Sequence, residues 1–147
     1  MLRPQTIYQL PTVLQQIIAD FPEVDFKIGQ KFTFRPPNTV FIHPKDPDIL
    51  LLTLHELGHF LSHHTSYKTC LKLLKLETEA WQRAKPLATK YHIKYDESII
   101  QRHLDTYRDH IYSNIVCPNC KNYCLETKSG KLFCPYCSSF VVKTSDK

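Results

Sequence analysis

The run Asp48–Leu61 is apolar on nearly every side, yet it carries His55, Glu56 and His59 in the pattern His-Glu-x-x-His. No other stretch limits the fold so strongly. A helix that is apolar all round belongs inside a core. On a helix, residues four apart stand nearly above one another, so His55 and His59 face the same way. Two imidazoles on one face can share a Zn²⁺, and the glutamate between them can handle a proton of a water held there. Burying these three groups costs desolvation unless something binds them. The competing reading is a pair of core histidines satisfied by hydrogen bonds. With Asp46 as N-cap and Pro47 in the first turn, the helix is expected over 46–64.

A third ligand is needed. His63 lies one turn past His59 but, at 1.5 Å per residue, about 12 Å along the axis from His55, too far for all three to reach one ion. His63 and His64 are therefore expected to be exposed, or at most near the cleft. The next helix, around 67–91, offers Glu77 and Glu79. Glu77 has Leu73 and Leu74 behind it and Ala80 and Trp81 ahead at helical spacing, which puts it on the buried face. Glu79 has Lys75 and Arg83 four residues away, ordinary solvent partners. A buried carboxylate with no basic partner is expensive, and a shared metal removes the problem. Glu77 is the expected third ligand, ahead of Glu79 and the remaining histidines. Two histidines and a glutamate leave a fourth position for water, the mark of a catalytic rather than a structural zinc site. Pro86 should kink or end this helix.

The remaining elements are shorter. Leu10, Val13, Leu14, Ile17 and Ile18 form one stripe of a packing helix that starts near Pro11-Thr12 and ends at Phe21-Pro22. From Asp25 to His43 the period changes to two, with Phe26/Ile28, Phe32/Phe34 and Val40/Ile42 alternating. This predicts two or three short antiparallel strands, with a hairpin of 31–35 and 39–43 turning at Arg35–Asn38. Such a strand can hold an extended peptide or merely cover the core. A last helix is expected over 96–112 on Ile100, Leu104, Tyr107 and Ile111. His103 and Tyr107 on it are candidate donors to an oxyanion, although boundary residues of this kind are more often structural. Cys70 reads as a buried thiol.

The final thirty residues form a second unit. Cys117-Pro118-Asn119-Cys120 and Cys134-Pro135-Tyr136-Cys137 are two C-x-x-C knuckles separated by 13 residues, with a turn at Ser129-Gly130. That is zinc-ribbon spacing, and four thiolates close the coordination sphere, so this Zn²⁺ is structural. Cys124 is not counted as a ligand. Val141-Val142 should add a strand, with 143–147 frayed. The expected division is 1–114 and 115–147. From Cys117 onward five lysines face only Glu126 and Asp146, within a net charge of +5; this is compatible with nucleic acid but also with an ordinary soluble surface. No apolar run approaches the ~20 residues of a membrane span, the N-terminus does not read as a signal peptide, and six cysteines in a reducing compartment point to metal. The expectation is a cytoplasmic protein with no membrane partner.

His55-Glu56-Leu57-Gly58-His59, followed 18 residues on by Glu77-Thr78-Glu79-Ala80-Trp81, resembles the ImmA/IrrE-type metallopeptidases of bacteria and their mobile elements. The resemblance covers roughly residues 10–90. It implies an α+β fold with a minimal zincin core: an N-terminal helix, a short antiparallel sheet, the motif helix and a helix bearing the Glu ligand. In that family Asn or Asp commonly stands four residues after the ligand and supports a zinc histidine; here the position is Trp81. The resemblance implies a zinc metallo-endopeptidase whose protein substrate is a transcriptional repressor. A C-terminal ribbon beside such a domain is similar to the SprT-like proteases, which act on DNA-bound proteins and take a histidine as third ligand. A non-catalytic zinc-ribbon adaptor is the remaining alternative.

Overall fold

Leu14 and Ile17, three residues apart, bury one stripe of the first helix, α1 (Thr12–Asp20). Phe21 leaves helical geometry and Pro22 follows it, which ends α1 where the sequence requires. The computed structural model describes residues 9–141. Its order continues with β1 (Asp25–Ile28), β2 (Thr33–Arg35), β3 (Thr39–Ile42), α2 (Ile49–Leu61), α3 (Cys70–Lys90), α4 (Glu97–Ile115), β4 (Leu125–Glu126), β5 (Leu132–Phe133) and β6 (Phe140–Val141). The fold class is α+β.

The described residues up to Thr65, together with Glu77–Asp96, form one unit; Ser66–Leu76 and the residues from Glu97 onward form the other. Helix α3 thus contributes its first turns to one unit and the rest to the other.

In the first unit the expected hairpin is present, with Phe34 opposite Val40 across antiparallel β2 and β3. Strand β1 departs from the expectation. It pairs parallel with β3, Phe26 beside Val40, so the sheet is mixed, in the order β1-β3-β2. Asn38 starts this pairing: its carbonyl accepts from the Asp25 N–H at 2.9 Å and its side-chain amide donates to the Glu23 carbonyl at 2.7 Å. The central position goes to β3, whose Val40 and Ile42 are fully buried, while Ile28 at the end of an edge strand is exposed rather than inward.

Helix α2 is buried from Ile49 through Gly58 except at half-buried Leu50, as its composition requires. Thr53 satisfies its hydroxyl within the helix by donating to the Ile49 carbonyl at 2.7 Å. Asp46 does not cap α2 directly. Its carboxylate accepts from the Asp48 N–H at 2.8 Å in the turn just before, and Asp48 takes the N-cap position. Pro86 does not end α3, which runs on to Lys90. The carbonyl deprived of a partner belongs to Gln82, an exposed residue, so water can serve it and the interruption is cheap. At the end of α3 the Tyr91 hydroxyl donates to Asp20 at 2.6 Å, tying this helix to the end of α1.

In the second unit α4 buries Ile100 and Leu104, and it extends to Ile115, beyond the expected end. The strands β4, β5 and β6 form a small antiparallel sheet. Its hairpin turns at Gly130, whose φ of 83° favours a residue without a side chain. Glu126 turns its carboxylate to the start of α3, accepting from the Cys70 N–H at 3.0 Å and from Leu71, a side-chain cap that suits the positive end of a helix. Val142 and the residues expected to fray lie outside the described residues, as do residues 1–8.

Candidate metal centres

The mostly buried α2 holds His55 inside and His59 near the edge of the core, and α3 places Glu77 opposite them. His55 Nε2 lies 2.9 Å from Glu77 Oε2, His59 Nε2 lies 3.4 Å from Oε1, and the two imidazole nitrogens are 3.2 Å apart. Ligands about 2.05 Å from a tetrahedral ion stand about 3.3 Å from one another. The three separations, two of them to different oxygens of Glu77, lie near that value, so the group could hold one ion. Together the three form one of two groups among the described residues that could hold a metal.

The approach of the two helices depends on Gly58. A methyl group there would fall 2.8 Å from the carbonyl carbon and 2.9 Å from the Cα of Ala80, and closer still to its oxygen. Glycine at this point of the motif lets α3 come near enough for Glu77 to meet the histidines.

Three neighbours surround the donors. Trp81 lies on the His55 ring, centroids 4.2 Å apart and 28° from parallel, so where the resembled family has a polar side chain this protein packs an indole. Phe34 of β2 faces His59 in a nearly parallel orientation. His64 is the third; of the two expectations for it, exposed or at most near the cleft, the structure corrects the first. Helix α2 closes with a pair of bonds, His63 N–H to Phe60 carbonyl and His64 N–H to His59 carbonyl, that needs a left-handed residue between them. His63 supplies it at φ 52° and is itself exposed. The turn folds His64 back under the helix, 6% exposed, with Nδ1 2.8 Å from His59 Nδ1 and Nε2 3.0 Å from Glu79 Oε2. Glu79 therefore also serves the buried site, not only the solvent face assigned to it from Lys75 and Arg83. Burial lowers the His64 pKa, partly opposed by its bond to Glu79.

Glu56 sits beside the trio, buried. Burial lifts its carboxyl to about 7, against a smaller downward pull from His59 and from the Phe34 N–H that it accepts. For Glu77 burial also pushes upward, but the bonds to His55 and His59 outweigh it and hold the carboxyl at about 2. The two neighbouring carboxyls thus part, one near 7 and the other near 2.

In the ribbon, Cys117 Sγ lies 3.6 Å from Cys137 Sγ, and Cys120 Sγ lies 3.4 Å from Cys134 Sγ. These gaps are too long for disulfides and near the ~3.75 Å edge of a tetrahedron with 2.3 Å metal–sulfur arms. The four thiols form the second group able to hold a metal. Bonds from the backbone and side chain of Asn122 bring the Cys120 thiol down to about 6, whereas burial pushes the Cys134 thiol up to about 12. Cys124 is buried against this cluster with Leu132, and burial raises its pKa. Cross-strand pairing sets Leu125, Phe133 and Phe140 on the opposite face of the sheet, where Leu125 is 61% and Phe140 71% exposed.

His103 and Tyr107 lie on α4 in the second unit and are half-buried. Cys70 is buried, as expected. Among the described residues no helix is long and apolar enough to cross a membrane. Compared with protein-family models, curated proteins and solved structures, the chain matches none.

Proposed function

We propose that this chain is a zinc-dependent endopeptidase of the ImmA/IrrE type, hydrolysing peptide bonds of a protein substrate, with a transcriptional repressor of a mobile element as its target. The observation that carries the proposal is the convergence of His55, His59 and Glu77 at tetrahedral spacing, with Glu56 buried next to them and lifted to about 7. Zinc, when bound by these three side chains, lowers the pKa of water toward neutrality. Glu56 takes the proton of that water as its oxygen adds to the peptide carbonyl, then passes the proton to the leaving amine. A carboxyl poised near 7 can do both at neutral pH. Strand β2, an edge of its sheet, can hold an extended substrate by main-chain hydrogen bonds.

The test is Glu56→Gln, which keeps the metal and abolishes cleavage of a denatured protein substrate; cleavage at the wild-type rate removes the role given to Glu56. Metal analysis separates the adaptor alternative: two zinc per chain, one lost in Glu77→Ala, supports the open site, whereas one zinc per chain supports the adaptor. The exposed Tyr123, Tyr136 and Phe140, with Lys121, Lys128 and Lys131, favour a second reading as a SprT-like protease acting on DNA-bound proteins, since aromatics beside lysines suit bases and phosphates. Much stronger cleavage of DNA-bound substrates, lost with the ribbon, would select it.

A further inference from the structure

A histidine that gives Nε2 to a metal must carry its proton on Nδ1 and needs an acceptor there. For His59 the neighbour at that position is not a carboxylate or a carbonyl but another imidazole, His64, at 2.8 Å. Two imidazoles can share this bond in only two ways. If His64 carries a proton on Nδ1, His59 must accept, its own proton moves to Nε2, and the metal position is blocked. If His64 offers a lone pair on Nδ1, its proton sits on Nε2 and requires an acceptor of its own. Glu79 Oε2 stands there at 3.0 Å.

We infer that His64 and Glu79 are positioning residues for the metal: the carboxylate fixes the tautomer of His64, and His64 fixes the tautomer and ring orientation of His59. The bonds run one way, from His59 Nδ1–H to His64 Nδ1 and from His64 Nε2–H to Glu79. The left-handed turn at His63 delivers His64 to this place, and the α3 backbone delivers Glu79 two residues after the ligand Glu77. His55 is held differently, by the face of Trp81.

The inference rests on the metal-site half of the function proposed above and not on peptide hydrolysis, so its readout is metal affinity. Zn²⁺ is titrated against a chromogenic chelator into the full chain with the four-cysteine site already filled. His64→Leu weakens the remaining site 10–100-fold, the range that outer partners of metal histidines carry. His64→Asn, whose side-chain oxygen can accept at the Nδ1 position, stays within about threefold of wild type. Glu79→Ala weakens binding by itself, and adds nothing in the His64→Leu background, because the two act in series. Wild-type affinity in His64→Leu, or an equal cost of Glu79→Ala in both backgrounds, overturns the inference. Should His64→Leu fail to fold, the partly exposed Glu79→Ala and the His64→Asn rescue decide it alone: unchanged affinity in Glu79→Ala refutes the relay. An inactive peptidase with these affinities intact would remove the proposed reaction and leave the relay standing.

Discussion

Replacing Gly58 by alanine puts a methyl group where the backbone of α3 already lies. Ordinary contact begins near 3.4 Å, and the new Cβ would stand 2.8 Å from the Ala80 carbonyl carbon and nearer its oxygen, so the helices must part by roughly 1 Å. Alanine is the better helix former by about 1 kcal/mol. Overpacking against backbone, which cannot rotate away, costs about 3 kcal/mol, the upper end of the usual range. The balance is a loss of about 2 kcal/mol. Glu77 sits one turn before Ala80 and moves with it, so the 2.9 and 3.4 Å gaps to His55 and His59 widen by up to about 1 Å, well beyond the ~3.3 Å spacing of donors around one ion. Affinity for the first-unit metal should fall by at least the 10–100-fold that lesser disturbances around metal histidines produce.

Denaturation midpoints and zinc titration, with the ribbon site filled, measure both effects. Gly29→Ala is the control, since its methyl meets the edge of the Phe41 ring at 3.2 Å, away from the ligands. Adding Ala80→Gly to Gly58→Ala should restore nothing, because the clash is with main-chain atoms. If Gly58→Ala binds zinc as tightly as wild type, or if Ala80→Gly rescues it, the close approach of α2 and α3 is not what assembles the site.

The carboxyl of Glu56 stands at about 7 in the fold against 4.5 in the unfolded chain, so its contribution is complete below about pH 4.5 and is lost as pH rises through 7. At 1.36 kcal/mol per unit this is about 3 kcal/mol, so in chelator the stability advantage of Glu56→Gln over wild type should be about 3 kcal/mol larger near pH 8 than near pH 4, and a pH-independent difference would refute it. His63→Gly removes a side chain from a left-handed turn and should stabilise by about 0.5 kcal/mol, after the unfolded-state entropy of glycine is set against the relief of strain. Zinc content should not change; loss of a zinc would make His63 a ligand.

What could be read without coordinates was local. His55 and His59 follow from the helical period, the ribbon from thiol spacing, and Glu77 from the apolar residues one turn to each side, because each of these depends on geometry that a single element fixes. What escaped depends on where a chain turns. The parallel partner of β1 is chosen by hydrogen bonds around Asn38, not by the alternation of Phe26 and Ile28, which is the same for either direction. The helical pattern, carried through 64, points His64 to solvent or to the edge of the cleft; a glycine at position 63 would announce the turn, but a histidine in that conformation is uncommon and gives no signal. Glu79 was read from Lys75 and Arg83 on its own helix, whereas the partner that distinguishes it comes from the preceding element. The members of a buried donor cluster are therefore legible where the period of their own helix sets which way they face. The groups that orient those ligands depend on how two elements meet, and Gly58, His63 and Trp81 are where this chain arranges that meeting.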